Sequence, residues 1–585
     1  MVAVDIGAMM ASAVQSSEDV AVLDRAVAEL AAHANRWVRL PVEQKRQYLV
    51  DARRQTLEVM DRWVELSLGA KGIAPASPWA GAEWLIGPNY VLWAFAALEA
   101  TLEQLEQGRP IAIPEVSTRP DGRVVARVYP DTNLHRAMTG PLTAEVWMQP
   151  GVTKATLHDT MAGAYRGTDE DGKVALVLGA GNVAALGLWD LLHKLYSEKQ
   201  VVVLKMNPVV DYLTPVITEI LAPWIANGYV RVVSGGTDVG AYLVDHPDID
   251  EIHLTGGIAT HDAIVFGTGE QGAARKAENR PRIDKRITSE LGGVSPIIIL
   301  PGPWSRADVA AQAEKIVGMK LNNNGHNCMS PQVLVLPANW SPGDPLLEEI
   351  ERIMRSLPTQ RAYYPGTAGR QRTWVDAHPD AIELDGSNVP RTLLWALNPD
   401  VEDDPVFTTE AFGPMLAQIS LHAPSLQAYL HEAVAFANDR LFGTLAATLL
   451  VHPLTERQLG PSLDHAVEEL HYGAVGINDW HMWAAFLPQC PWGGAPGQPL
   501  NDVQSGRGFV HNSLMFDRPE KTIIRNSFHQ APRAWRYREP QFTPHPLYSA
   551  AHAIGPGAGR QMAVLAADPR WRQLARLLIA MIRGR

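Results

Sequence analysis

The feature that most constrains the fold is an alternation of short apolar runs with helical segments that begins at Val174. Each run is rich in Val, Ile or Leu, and the segment after it carries apolar residues at helical spacing. The four runs are Val174–Leu178, Val201–Leu204, Val230–Val233 and Glu251–Leu254. Buried strands that alternate with helices are typical of a parallel sheet covered on both faces. The sequence therefore predicts an α/β fold with the outline of a nucleotide-binding sheet.

A second round of the same alternation follows Glu290. It comprises a strand at Ile297–Leu300, a helix over Asp308–Met319 and a strand at Val333–Leu336. The chain has 585 residues, too many for one hydrophobic core, so we expect at least two domains. The first hundred residues instead read as helices.

Composition excludes several classes of protein. Hydrophobic residues make up 46% of the chain and charged residues 19%, which is a globular balance. The net charge of −12 gives no electrostatic footprint for nucleic acid. Two cysteines exclude a disulfide framework and fit a reducing compartment. We find no apolar run near the roughly 20 residues that span a bilayer and no basic leader, so we expect a cytoplasmic protein.

The last residues predict a short amphipathic helix with a basic face. It covers Trp571–Arg583. We favour a helix docked on the body of the protein; adsorption to a membrane surface is the alternative.

The two residues with the clearest chemical signal are Cys328 and Glu290. A lone cysteine is usually a small buried hydrophobe, as Cys490 is expected to be between proline and glutamine. Cys328 instead follows three asparagines, a glycine and a histidine, which are unusual neighbours for a core thiol. Glu290 leads into a Gly-Gly turn and could activate water. Together they suggest that the cysteine captures a carbonyl and that a base releases the product.

A glycine-rich segment after the first strand superficially matches a dinucleotide fingerprint. Gly179–Ala184 has the G-x-G-x-x-A pattern. The ordinary fingerprint also needs an acidic residue about 20 positions further on, whereas the next strand ends in Lys205. We therefore do not interpret the segment as an ordinary dinucleotide-binding fingerprint.

Six motifs, taken in order, resemble the aldehyde dehydrogenase superfamily over roughly residues 20 to 530. They are Asn182, Lys205, Thr255-Gly256-Gly257, Glu290-Leu291-Gly292-Gly293, Gly325-His326-Asn327-Cys328 and Glu410-Ala411-Phe412-Gly413-Pro414, with Asn478 and Pro491-Trp492-Gly493-Gly494 closing the series. One such motif is modest evidence, but six in register are strong. The resemblance implies two Rossmann-like α/β domains and a small β element for oligomerisation.

The resemblance also implies catalytic roles. Cys328 would attack the aldehyde carbon, and the Asn182 amide with the Cys328 backbone N–H would hold the oxyanion. Glu290 would deprotonate the water that hydrolyses the thioester. No metal is implied.

The implied cofactor is NAD or NADP. Lys205 would bind the adenosine ribose, Glu410 the nicotinamide ribose, and Phe412 would pack near the nicotinamide ring. Gly256, Gly257 and Leu291 complete the expected cofactor residues. Pro208 stands where the family often has glutamate, and Gly257 replaces a serine, so the choice between NAD and NADP stays open.

The implied domains are residues 1–143 with 160–290 for the cofactor and 291–505 for catalysis. Residues 144–159 and 506–532 would be oligomerisation strands, and 533–585 a C-terminal extension. We expect a homodimer or homotetramer that acts on a small-molecule aldehyde. An apparent insertion at residues 269–284 is expected to be a surface excursion.

Aromatic residues give the only hint of the substrate. Trp480, Trp483, Phe486 and Trp492 crowd a segment that borders the substrate funnel in the family. Aromatic walls would suit an apolar or aromatic aldehyde, although core or interface packing explains them equally well.

Two alternatives remain. An acylating dehydrogenase would pass the thioester to coenzyme A, but such relatives generally lack the glutamate that Glu290 matches. A catalytically lapsed member acting as a scaffold is the second, and the retention of Cys328, Glu290 and Asn182 argues against it.

Overall fold

The computed structural model describes residues 17–167, 171–537, 545–549 and 551–583. These residues form two large sheets and one small two-stranded sheet, with helices on the faces of the large sheets. In chain order the strands are β1 (Glu115–Thr118), β2 (Val124–Tyr129), β3 (Thr143–Met148), β4 (Val174–Leu178), β5 (Val201–Lys205), β6 (Val230–Val233), β7 (Glu251–Gly256), β8 (Arg286–Leu291), β9 (Ser295–Ile299), β10 (Pro331–Pro337), β11 (Ile382–Glu383), β12 (Thr392–Leu397), β13 (Met415–Leu421), β14 (Ala446–Leu450), β15 (Ala474–Ile477), β16 (Pro491–Trp492), β17 (Gly506–Arg507), β18 (Val510–His511) and β19 (Pro519–Arg525).

The helices lie on the faces of these sheets and also form the first and last described elements of the chain. In chain order they are α1 (Ser17–Arg39), α2 (Val42–Lys71), α3 (Ala80–Trp84), α4 (Tyr90–Glu106), α5 (Asn133–Thr139), α6 (Leu186–Leu192), α7 (Thr214–Ile220), α8 (Ala222–Ala226), α9 (Thr237–Asp245), α10 (Ile258–Val265), α11 (Gly269–Ala277), α12 (Arg306–Leu321), α13 (Gly343–Ser356), α14 (Thr367–Ala377), α15 (Pro405–Thr408), α16 (Leu426–Arg440), α17 (Pro453–Leu459), α18 (Pro461–Glu469), α19 (Met482–Phe486), α20 (Arg533–Arg536), α21 (Pro556–Ala567) and α22 (Trp571–Arg583).

The six-stranded sheet contains the four strands that the apolar runs predict. Its order is β17-β8-β7-β4-β5-β6, and all pairings are parallel except that of β17 with β8. β5 is buried along its whole length, as expected for a strand covered on both faces. The carboxyl ends of these strands lie at one edge, where ligands of open α/β sheets bind.

The second sheet has eleven strands in the order β1-β2-β3-β19-β15-β14-β9-β10-β13-β12-β11. Seven of them, from β19 to β12, pair in parallel. β3 and β19 come from the segments predicted to serve oligomerisation, and here they extend the chain's own sheet through antiparallel pairing with each other. Their part in assembly and the domain bounds stay predictions.

The apolar stretch Ala80–Glu106 corrects the expectation that no run approaches membrane-spanning length. By length and composition alone it could cross a bilayer, but 67% of its most apolar window is buried in the protein. Its helix α4 packs on α2 and α21. We interpret it as a core helix.

The two surface predictions agree with the structure. α11 lies in the apparent insertion and is mostly exposed. The terminal helix α22 is docked on the body because Leu574 and Leu577 are buried against Leu134 and Leu565.

Candidate active site

The structure brings the predicted thiol and carboxylate together. Glu290 is the next-to-last residue of β8, and Cys328 follows α12 and a short turn. Sγ of Cys328 donates to Oε1 of Glu290 at 3.8 Å. Cys328 is half-buried, whereas Cys490 is fully buried, as its sequence context predicts.

The asparagine-rich turn before Cys328 explains how the thiol leaves the helix. Asn323 and Asn324 have φ values of 51° and 53°, and Gly325 has 73°. Asparagine tolerates this left-handed conformation better than other residues with a side chain. A Cβ on Gly325 would lie 2.2 Å from the carbonyl oxygen of Gly413, so only glycine fits there. The run Asn-Asn-Gly therefore reverses the chain in a tight turn.

Asn182 is buried against the same loop. Its Nδ2 donates to the carbonyl of His326 at 2.9 Å. An amide nitrogen has two N–H groups, so this bond leaves a second donor for an oxyanion. The carbonyl of Asn182 accepts from Asn323 Nδ2 at 3.0 Å and from the Tyr363 hydroxyl at 2.9 Å. The three residues of the predicted catalytic set thus lie in one constellation.

A buried ion pair that sequence reasoning missed supports this loop. Nζ of Lys71 lies 2.8 Å from Oε1 of Glu83 and 2.9 Å from Oδ1 of Asn323. The side chains of Lys71 and Glu83 are only 5% and 4% exposed. Lys71 is the last residue of α2, 252 residues before Asn323, so no local pattern could have shown the contact.

Burial sets the protonation behaviour of Glu290. It raises the pKa of Glu290 to about 8, with the Asp190 carboxylate adding to the effect. Hydrogen bonds from the Trp492 indole and the Cys328 thiol oppose this shift. Burial also raises the pKa of the Cys328 thiol well above its ordinary value, and the charges of Glu290 and Glu410 raise it further. A carboxylate with such a pKa is a stronger base than an exposed one.

Asp190 and His511 lie near Glu290, and the sequence did not predict either of them as part of the site. Ligand atoms of Asp190, Glu290 and His511 lie within 4.8 Å of one another, and all three residues are buried. This set has the chemistry of a cation site, although Thr255 Oγ1 donates to Asp190 at 2.7 Å and so occupies one of its oxygens.

On the cofactor side, Lys205 ends β5 and is buried. Burial lowers the pKa of Lys205, while the carboxylates of Asp211 and Asp238 oppose that change. Gly256 and Gly257 are exposed between β7 and α10, and a Cβ on Gly257 would meet nothing. Lys205 and the open glycine turn thus lie at the same edge of the sheet, at the ends of β5 and β7, with β4 between them.

Glu410 is packed directly against the Gly-Gly turn that follows Glu290. A Cβ on Gly292 would lie 2.1 Å from both carboxylate oxygens, so the glycine makes room for Glu410. Burial raises the pKa of Glu410 to about 7, against the charges of Arg370 and Lys320. Oε1 of Glu410 has no hydrogen-bond partner among the described residues.

The other two predicted cofactor residues differ in position. Phe412 has a φ of 42°, and its ring meets that of Tyr364 edge-on at 4.8 Å. Leu291 is only 1% exposed, and its backbone N–H donates to the carbonyl of Ser505 at 2.9 Å. The Leu291 side chain therefore belongs to the core.

The aromatic residues of the predicted funnel divide into two groups. Trp483 and Phe486 line a cavity of about 220 Å³. Trp480 is buried and donates to the carbonyl of Met329, and Trp492 donates to Glu290. Half of the group thus lines a cavity, and the other half supports the catalytic loop and the base.

Comparisons with known proteins agree with this geometry. Residues 185–368 match the aldehyde dehydrogenase family model, a range that includes Lys205, Glu290 and Cys328. The aldehyde dehydrogenase LUC3 of Fusarium sp. is 32% identical over 176 residues, which are 29% of this chain and 35% of that protein. The chain therefore spans about a third of the length of this curated relative.

Solved structures match over most of their length. An NAD-dependent aldehyde dehydrogenase from Sinorhizobium meliloti is 18% identical with a TM-score of 0.57, covering 87% of this chain and 86% of the other. A gamma-glutamyl-gamma-aminobutyraldehyde dehydrogenase from Burkholderia cenocepacia is 20% identical with a TM-score of 0.57, covering 86% and 88%. At these identities the likeness shows the fold. The family model over residues 185–368, the curated relative and the solved structures all indicate the aldehyde dehydrogenase superfamily.

Proposed function

We propose that the protein oxidises an aldehyde, apolar or aromatic in character, to a carboxylic acid with NAD+ or NADP+. The observation that carries this proposal is the contact of Cys328 Sγ with Glu290 Oε1 at 3.8 Å, beside an Asn182 amide held on the cysteine loop. A nucleophile, a base and an oxyanion donor are the groups that acyl chemistry at a cysteine needs.

The proposed steps follow from these positions. Cys328 gives its proton to Glu290 and attacks the aldehyde carbon, and Asn182 stabilises the oxyanion of the thiohemiacetal. Loss of a hydride leaves a thioester on Cys328. Glu290 releases the thiol proton to solvent and then takes a proton from water, and the hydroxide formed attacks the thioester. The acid leaves, and the Cys328 thiolate regains a proton from Glu290. NAD+ or NADP+, when bound, supplies the hydride acceptor.

The residues present fit such a cofactor. The unpartnered Oε1 of Glu410 could accept a hydrogen bond from a ribose hydroxyl. Lys205 would bind the other ribose, and Gly256 and Gly257 would lie along the diphosphate. Phe412 would pack near the nicotinamide ring. For Leu291 only the backbone is placed to contribute, since its side chain is buried.

The test is formation of reduced cofactor with apolar and aromatic aldehydes, measured by absorbance. We expect Cys328→Ala to abolish it and Cys490→Ala, which removes the other thiol, to retain it. Full activity of Cys328→Ala, or no reduced cofactor with any aldehyde, would refute the proposal. The second result would favour a lapsed member acting as a scaffold.

An acylating reaction with coenzyme A is disfavoured by the contact of Glu290 with Cys328, because it puts a water-activating base beside the thioester. Acid production without coenzyme A would exclude it. A cytoplasmic location and a homodimer or homotetramer remain predictions, and light scattering tests the second.

A further inference from the structure

The cavity lined by Trp483 and Phe486 has walls from four parts of the chain. One wall is α4, which contributes Trp93 and several alanines, and a second is the aromatic segment around α19. The third wall is residues 131–139, which include α5, and the fourth is the C-terminal extension, which follows the last strand of the large sheet. Most of the lining side chains are apolar.

The extension contributes two pieces to this wall. Leu547 and Tyr548 come from the segment 545–549, and Met562, Leu565 and Ala566 come from α21. Because α21 lies on α4 and on the turn before it, the extension covers the cavity rather than bordering it at one point.

Polar contacts anchor the extension beside the cavity. Nδ1 of His545 and Nδ1 of His552 each lie 3.0 Å from the Glu314 carboxylate. The hydroxyl of Tyr548 donates to Asp479, and its ring meets Trp480 at 5.2 Å. These contacts hold the extension against α12 and against Asp479 and Trp480.

Two contacts connect the cavity to the catalytic residues. Asn322 lines the cavity, and its carbonyl accepts from Asn327 Nδ2 at 3.0 Å, one residue before Cys328. Phe486 stacks on Tyr90 at 4.5 Å. The Tyr90 hydroxyl in turn donates to the carbonyl of Ala485 and lies 3.2 Å from His511, one of the buried residues grouped with Glu290.

We propose that the segment 545–549 and helix α21 form the closing wall of an apolar ligand site and thereby select substrates with an extended apolar chain. This inference rests on the proposed function, under which the ligand is the aldehyde. An apolar cavity of about 150 Å³ holds a benzene ring, so the 220 Å³ here suits a longer alkyl or arylalkyl group. Trp483 lines the cavity from the α19 segment, and Met562 lines it from α21.

The experiment measures decan-1-ol binding by calorimetry and, separately, oxidation of decanal and acetaldehyde. Ala566→Phe fills the cavity from the extension, with Ala566→Leu as a milder variant if folding fails by circular dichroism. Gln561→Phe is the matched control, because Gln561 lies on the same helix α21 but outside the cavity lining.

We expect Ala566→Phe to weaken decan-1-ol binding and to lower kcat/KM for decanal by about tenfold or more, with acetaldehyde and the control variant unchanged. If the protein binds decan-1-ol and Ala566→Phe abolishes this binding, the proposed cavity wall is supported even when no aldehyde is oxidised. In that case only the proposed function fails. If decan-1-ol does not bind, or if folded Ala566→Phe and Ala566→Leu both retain its binding, the proposal of a cavity wall is wrong. This holds whichever aldehydes the protein oxidises.

Discussion

Trp492 donates its indole N–H to the same oxygen of Glu290, Oε1, that faces the thiol of Cys328. The other oxygen, Oε2, is buried and has no hydrogen-bond partner among the described residues. Trp492 therefore fixes the orientation of the carboxylate and partly offsets the effect of burial on its pKa. We expect Trp492 to act as a positioning residue for the base.

The first prediction concerns Trp492→Phe. Loss of the indole donor should raise the pKa of Glu290 above its value of about 8, because that hydrogen bond stabilises the carboxylate. The midpoint of the pH–kcat profile should move to higher pH. Trp483→Phe is the control, since the Trp483 indole has no hydrogen-bond partner among the described residues. An unshifted midpoint in Trp492→Phe would contradict this role.

The second prediction concerns the pH dependence of the wild-type enzyme. Glu290 must be deprotonated to take a proton, so kcat should increase as the pH rises through about 8. In Glu290→Gln both the thiol and the water lose their base, so formation of reduced cofactor should be slow in the first turnover and in the steady state. Stopped-flow absorbance measures both. A steady state at the wild-type rate would show that another group activates water.

The third prediction concerns the buried pair of Lys71 and Glu83. Lys71→Met leaves the Glu83 carboxylate buried and unpaired, which should lower the free energy of unfolding by about 3–5 kcal/mol. It also removes the bond to Asn323, so kcat should fall. Lys276→Met, which breaks a partly exposed pair with Asp262, should cost only about 0–1 kcal/mol. Urea denaturation measures the free energy of unfolding of both variants. Equal losses would contradict the inference that the pair of Lys71 and Glu83 supports the cysteine loop.

The fourth prediction concerns cofactor choice. Asp211 and Asp238 place negative charge around Lys205, which disfavours the additional phosphate of NADP. We expect NAD+ to be preferred and Asp238→Asn to raise kcat/KM for NADP+ relative to NAD+ by up to about tenfold. Asp248→Asn, which removes an equal charge that does not act on Lys205, should leave the ratio unchanged. A lower ratio in Asp238→Asn would refute the electrostatic account.

The sequence predicts strands better than it predicts contacts. Val174–Leu178 and Val230–Val233 match β4 and β6 residue for residue, because strands buried on both faces are continuous apolar runs. The α-helix that begins at Leu186 ends at Leu192 and continues as a wider π turn, which no periodicity distinguishes from an α-helix.

The proposed catalytic residues stand in sequence motifs, whereas the residues that contact them do not. Asn182 and Glu290 stand in recognisable segments, whereas Lys71, Asp190 and His511 have no local signal and reach the site only through the fold. Asn323 and Asn324 did carry a signal, since a run of asparagines before glycine favours left-handed turns. The cavity wall from the segment 545–549 and helix α21 depends on packing between distant helices and has no sequence motif.

The pairing of β17 with β8 has a mechanical consequence. Gly506, which follows the whole catalytic region in sequence, pairs with Glu290 in the six-stranded sheet, and a Cβ at Gly506 would lie 2.1 Å from the carbonyl oxygen of Ser289. The segment that follows the catalytic cysteine is thus hydrogen-bonded to the strand that carries Glu290. A motion that separates residues 506–507 from β8 would break this pairing, so we expect substrate and product to exchange without such a motion.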